Sequence, residues 1–367
     1  MKARILIALC ITCAVIDVAE AGVYWQRCHA NDRVGGVSST DGGATYDVTE
    51  LPTGGGSTSV VYHGGGINAT GDVVTSVDSA AYVWPASTRR PTRLSSAPGH
   101  DGEMALSINN AGDVVGYENG GNNTDAVVWR KGSCNLLPSM REMPSGEAWG
   151  VNSHDVVVGR IFNSSFKGEW WAQPSRAVVW RDGTLSVLAL PKGSLQSRAY
   201  AINDNGDVVG WVLTSDNRME ACVWSGRTPN PLGTLAGGKV SKASFINNNG
   251  QIVGDSDAAD GLLHTVMWWN GKMIDLGLPP HRRFCMPTSI NNRGQVLGDT
   301  DGMRQFVWDA AHGMRLIDVP DGSHAKLLRS IAISDNGDIV AAGMSADREE
   351  PYDHRLFVLT PVDAAKG

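Results

Sequence analysis

The chain has 367 residues, with 31 Lys and Arg against 38 Asp and Glu, for a formal charge of −7. A 42% hydrophobic and 19% charged composition excludes a disordered chain. The modest acidity argues against a general binder of nucleic acid or anionic membrane. Forty-four glycines, well above the usual ~7% and without collagen periodicity, point to many turns and short strands.

The first 21 residues read as a secretory signal. Lys2 and Arg4 supply a positive start, and residues 5–16 form an apolar run too short to span a bilayer. Ala19-Glu20-Ala21 fits the small-x-small rule, so cleavage is expected after Ala21. The residues before Cys10 and Cys13 fit a lipobox poorly. The product is then secreted or periplasmic. Cys28, Cys134, Cys222 and Cys285 remain, which permits two disulfides of undetermined connectivity. Cys222, between Ala221 and Val223, reads equally as a buried thiol. None of the four has zinc-site spacing.

Beyond a 22–44 extension, the chain repeats itself. The phrase I-N-x-x-G-x-V-V-G begins at Ile67, Ile108, Val151, Ile202, Ile246, Ile290 and Ile333, at spacings of 41, 43, 51, 44, 44 and 43. A second phrase, A-x-V-W, ends at Trp84, Trp129, Trp180, Trp224, Trp268 and Trp308, and Leu359 takes that place in the last repeat. Each repeat reads as four strands. Strand a ends at Ile-Asn, and Asn-x-x-Gly supplies a tight turn. Strand b is Val-Val and strand c carries the Trp. A polar-Gly turn such as Asp182-Gly183 leads to strand d.

A period near 43 with four strands and no helical pattern predicts an all-β, seven-bladed β-propeller of four-stranded antiparallel blades over residues 45–360. The last repeat lacks strand d. Residues 46–51 carry that pattern, so an N-terminal strand is expected to close the ring and remove its open edges. Residues 361–367 form a tail.

The two phrases resemble the HAF-repeat family of exported bacterial proteins, most closely at His264-Thr265-Val266-Met267-Trp268. The resemblance implies a repeat architecture and no shared catalytic residues. Ser39-Thr40-Asp41-Gly42-Gly43-Ala44-Thr45-Tyr46 resembles a single Asp-box, the turn before the outer strand of sialidase-like blades, with Tyr46 in the Trp place. That implies a structural turn and not a sialidase.

The repeat Trp read as packing between blades, and the Asn-x-x-Gly as turn chemistry. The a–b and c–d turns are uniform, whereas the b–c and d–a connections are long and varied. Loops on a rigid scaffold carry function, so the second face is the expected site. Three clusters belong to it. The b–c loop of the third repeat holds Phe162, Phe166, Trp170 and Trp171, a platform for sugars or a protein hot spot. Asp255, Asp257, Asp299 and Asp301 offer hard oxygens for Ca²⁺, the one cofactor indicated. Four places before each motif Ile stand His63, Met104, Glu147, Arg198, Lys242, Met286 and Arg329. This ring at the axial mouth is expected to hold a carboxylate such as a uronic acid, or to form a solvated rim.

The chain contains no P-loop, G-x-S-x-G or H-E-x-x-H. The expected function is a monomeric binding module for a polysaccharide or protein. The alternatives are a propeller glycoside hydrolase or polysaccharide lyase, and a structural envelope protein.

Overall fold

The computed structural model describes residues 44–53, 64–166, 173–279, 281–320, 323, 325–345 and 354–362. All regular structure there is β, and no described helix is long and apolar enough to cross a membrane. Strand β1 (Ala44–Leu51) comes first. Unit 1 is β2 (Gly66–Ile67), β3 (Val73–Val77), β4 (Ala80–Trp84) and β5 (Thr92–Arg93). Unit 2 is β6 (Asp101–Ile108), β7 (Val114–Gly120), β8 (Asn123–Arg130) and β9 (Ser133–Leu136). Unit 3 is β10 (Ser145–Val151), β11 (Val157–Phe162), β12 (Ser175–Arg181) and β13 (Thr184–Val187). Unit 4 is β14 (Ser194–Ile202), β15 (Asp207–Thr214), β16 (Met219–Ser225) and β17 (Thr228–Pro231). Unit 5 is β18 (Ser241–Ile246), β19 (Ile252–Asp257), β20 (Leu263–Trp269) and β21 (Lys272–Asp275). Unit 6 is β22 (Cys285–Ile290), β23 (Val296–Thr300), β24 (Gln305–Asp309) and β25 (Gly313–Asp318). Unit 7 is β26 (Ala325–Ile333), β27 (Ile339–Ser345) and β28 (His354–Pro361), completed by β1.

Five units are separate four-stranded sheets; units 6 and 7 merge through β25 and β1, which share two parallel pairs. β1 is antiparallel to β28 from Tyr46↔Pro361 to Leu51↔Leu356, the N-terminal closure expected from the repeat. Arg355 and Glu50 form an ion pair along this seam (3.1 Å). The innermost strands pack in a circle: β2 on β6, then β10, β14, β18, β22 and β26, which returns to β2.

The core lies between units. Val158 and Ala177 of unit 3 pack with Ala199, Val208 and Trp224 of unit 4. Leu51, Val340 and Leu356 of unit 7 pack with Val73 and Trp84 of unit 1. The repeat Trp adds a polar tie: the indole N–H of Trp84, Trp129, Trp180, Trp224 and Trp268 donates to Pro52, Ser95, Pro138, Ala189 and Leu232 carbonyls, each at the outer strand of the preceding unit (2.7–3.0 Å). A buried indole N–H needs such a partner.

The motif Asn closes its own turn and also reaches forward. Its side-chain amide donates to the backbone carbonyl at the same place in the next unit: Asn68 to Asn109, Asn109 to Asn152, Asn152 to Asn203, Asn203 to Asn247, Asn247 to Asn291, and Asn291 to Ser334 (2.8–3.4 Å). Unit 7 has Ser334 in that place, and its hydroxyl accepts from the Asp338 N–H instead.

Each of β6, β10, β14, β18, β22 and β26 carries a bulge two residues before the motif Ile or Val. The bulge drives a strand-a carbonyl against strand b. A Cβ on Gly159, Gly210 or Gly254 would collide with the carbonyl of Glu147, Arg198 or Lys242, which is why V-V-G ends in glycine.

The b–c connections are not uniformly long, contrary to expectation: those of units 4 and 6 are no longer than the a–b turns, and those of units 1 and 2 are only Asp78-Ser79 and Gly121-Asn122. Asp78 and Ser79 both hold positive φ (50° and 61°), a tight hairpin turn that polar residues tolerate. Cys134, Cys222 and Cys285, the cysteines among the described residues, are free thiols, and Cys28 lies outside those residues. Burial raises Cys222 to about 12 and Cys285 to about 11, so both are inert.

Candidate binding site on the axis

Strand a runs from the varied connections toward the Asn turns, so the residues four places before the motif Ile lie at the varied end of the axis. Each faces the strand-b residue that follows V-V-G: Met104↔Tyr117, Glu147↔Arg160, Arg198↔Trp211, Lys242↔Asp255, Met286↔Asp299 and Arg329↔Ala342. The six described members of the expected ring are not a free solvated rim. Glu147 and Arg198 are buried, Glu147 and Lys242 meet charged partners on strand b of their own units, and Arg329 meets Asp299 of unit 6.

Those partnerships differ in tightness. Arg160 donates to both oxygens of Glu147 (2.7 Å each), Trp149 adds an indole N–H (3.1 Å), and the guanidinium lies 4.4 Å from the Phe162 ring centre. Arg198 lies over Trp211 (5.1 Å), whose indole N–H donates to the Tyr200 hydroxyl (2.9 Å). Lys242 and Asp255 are 3.4 Å apart, as are Arg329 and Asp299 across the unit 6–7 junction. These two contacts are longer than the 2.7–2.9 Å of a strong charge-assisted bond. Ser330 also donates to Asp299 through its N–H and hydroxyl (2.9 and 2.8 Å). Burial pushes Asp255 and Asp299 above the usual carboxylate range, and Lys242 and Arg329 respectively oppose the shift. Burial, then Glu147, raises Tyr117.

The other expectations need correction. Phe162 is not a loop aromatic: it ends β11 and is buried beneath Arg160. Phe166 is exposed, its N–H bonded to the Asn163 carbonyl. Trp170, Trp171 and His63 lie outside the described residues. The four acids do not form a calcium cluster. Asp255 and Asp299 are in ion pairs. Asp257 accepts from the Lys239 and Val240 N–H groups (2.6 and 2.7 Å), and Asp301 from the Arg283 N–H (3.1 Å). Among the described residues, no three His, Cys, Asp or Glu side chains come together as metal ligands.

Sequence reasoning missed the strand-b half of this site, namely Arg160, Trp211 and Tyr117. The signal was present. The residue after V-V-G runs through Ser76, Tyr117, Arg160, Trp211, Asp255, Asp299 and Ala342 while the first two places of the phrase stay aliphatic, and antiparallel pairing puts it opposite the ring.

No family pattern matches the chain, and no curated protein is similar to it. Solved structures are similar in fold. An oligogalacturonate lyase in complex with manganese aligns at 11% identity and TM-score 0.57, covering 88% of this chain and 97% of that one. An oligogalacturonate lyase from Vibrio parahaemolyticus aligns at 13% and 0.55, covering 88% and 100%. The WD40 repeats of RRP9 align at 14% and 0.50, covering 86% and 98%. With the sheet topology, these likenesses place the chain among the β-propellers. At such identities they carry the fold alone.

Proposed function

We propose that this protein is an exported, seven-bladed propeller of the HAF-repeat type that binds a carboxylate-bearing polysaccharide at the varied end of its axis. The carrying observation is the gathering of cations at one end of the axis: Arg198, Lys242 and Arg329 stand at the same place on the innermost strands of units 4, 5 and 7, and Arg329 meets Asp299 only at 3.4 Å. Three strand-borne cations at one mouth suit a carboxylate. Half-buried Tyr117 adds aromatic surface beside them, buried Trp211 backs Arg198, and the strands keep the geometry rigid.

The test is binding of the exported chain to an array of acidic and neutral glycans, with oligogalacturonate as first probe. Acidic chains should bind, more weakly as salt rises. Replacing the loose pairs by neutral isosteres, Lys242→Met with Asp255→Asn and Arg329→Gln with Asp299→Asn, leaves no buried charge orphaned and should abolish binding. An array blank for acidic glycans, or full binding by the quadruple variant, overturns the reading. Product analysis on the same oligogalacturonate separates binding from cleavage.

A further inference from the structure

The opposite end of the axis holds a separate cavity of about 260 Å³. The seven motif Ile and Val residues contribute to its wall, and the Asn turns form its rim. Along strands rising about 3.3 Å per residue, the Asn ring lies roughly 16 Å from the mouth. The cavity is smaller than the ~300–1,000 Å³ of pockets for drug-sized ligands, so it admits one ring-sized molecule.

Its middle layer is set by the bulges. Bulges re-aim side chains and recur beside functional sites. Of the residues at the bulge position, Leu106, Trp149, Tyr200, Thr288 and Ile331 line the cavity, with Gly65 at the same place in unit 1. Aromatic rings stand together in units 3 and 4, a hydroxyl stands in unit 6, and aliphatic side chains flank the glycine in units 7 and 2.

The aromatic corner is built. Trp149 and Tyr200 meet edge to face, centres 5.4 Å apart and planes at 85°. Trp149 is anchored to Glu147, and Tyr200 accepts from Trp211. Across the cavity Thr288 bonds Ser330 through their hydroxyls (2.8 Å). The rim carries Asn110, Asp204, Asn248, Asn292 and Asp335, and no Lys or Arg lines the cavity. Hydrogen bonds from Ser153 and Asn248 outweigh burial and hold Asp204 low. An anion is therefore unfavoured here, unlike at the mouth. Fixed aromatic rings on one wall, hydroxyls on another and an amide–carboxylate rim match a molecule with an apolar C–H face and hydroxyl edges.

We infer that this cavity binds a single neutral pyranose, stacked on Trp149 and Tyr200, at a site distinct from the charged mouth. The experiment is saturation-transfer NMR on the exported chain with methyl glucopyranoside, mannopyranoside and galactopyranoside at millimolar concentration. One pyranoside should receive transfer at its ring C–H protons. Affinity should fall about tenfold or more in Trp149→Leu, which removes the stacking surface, and in Thr288→Phe, which fills the cavity from the other side. The mouth variant Lys242→Met with Asp255→Asn, which leaves the Asp299–Ser330–Thr288 chain intact, should bind as the wild type does, so this inference and the acidic-glycan reading fail separately. It is overturned if no pyranoside binds, if binding survives in whichever of Trp149→Leu and Thr288→Phe folds, or if tetramethylammonium displaces the sugar more effectively than a second pyranoside.

Discussion

His100 shows how one side chain couples this fold to pH. Its Nε2 meets Asp125 at 2.9 Å and its Nδ1 faces the Pro98 carbonyl at 3.2 Å. The Asp125 hydrogen bond is the main cause of a raised imidazole pKa, with burial opposing it. A raised folded pKa means the folded state holds the proton more tightly than the unfolded chain. The stabilisation is thus complete below the unfolded value of about 6.5 and fades as pH rises through the higher folded value. Thermal melts of the wild type should therefore lose stability across that window relative to His100→Gln. Parallel pH profiles for the two chains would disprove the assignment. At this scale the sequence was least informative. Nothing near His100 in the chain announces Asp125, 25 residues on, and the ring residues gave no hint of how tightly each was paired.

Among the elements, the Asn ladder is the clearest device. Six side-chain amides each cross from one unit to the next, and the crossing from unit 7 to unit 1 is the one where Ser334 replaces the donor. Ser334→Asn should add the missing bond to the Asn68 carbonyl and stabilise by about 1 kcal/mol, the usual net value of one hydrogen bond. Asn152→Ser should cost a similar amount. Denaturant melts of both variants measure this, and a destabilised Ser334→Asn would show that the closing junction has no room for the amide. The repeat itself was legible because each phrase has a local cause. Asn-x-x-Gly makes a turn, Val-Val a strand, and the terminal Gly of V-V-G a close carbonyl approach. The forward reach of the same Asn was not legible, because it depends on how far apart neighbouring units sit. The platform read at Phe162 failed for a related reason: β11 continues to that residue, and the pleat turns its ring inward under Arg160.

For the molecule as a whole, the fold class and its closure followed from the repeat count and from the missing outer strand of the last repeat, since an open sheet edge is a liability. The closing strand is then the element on which the ring depends. A chain beginning after Leu51 should expose β28 and the unit 6–7 junction and should aggregate. A permuted chain carrying residues 44–53 after β28 should stay monodisperse, because the same strand reaches the same neighbours. Light scattering on the two chains separates the outcomes, and aggregation of the permuted chain would show that β1 contributes more than pairing.

That arrangement also sets a timetable. Glu50 and Arg355, which meet across the seam, are 305 residues apart in the chain. At about 5–20 residues per second of synthesis, β1 waits roughly 15–60 s for β28. All the intervening strands emerge before the clasp can shut, so the ring's last act of folding falls to the first strand made. A nascent chain that must travel before it folds loses nothing by such a delay, since until β28 appears there is no finished ring to hold it back.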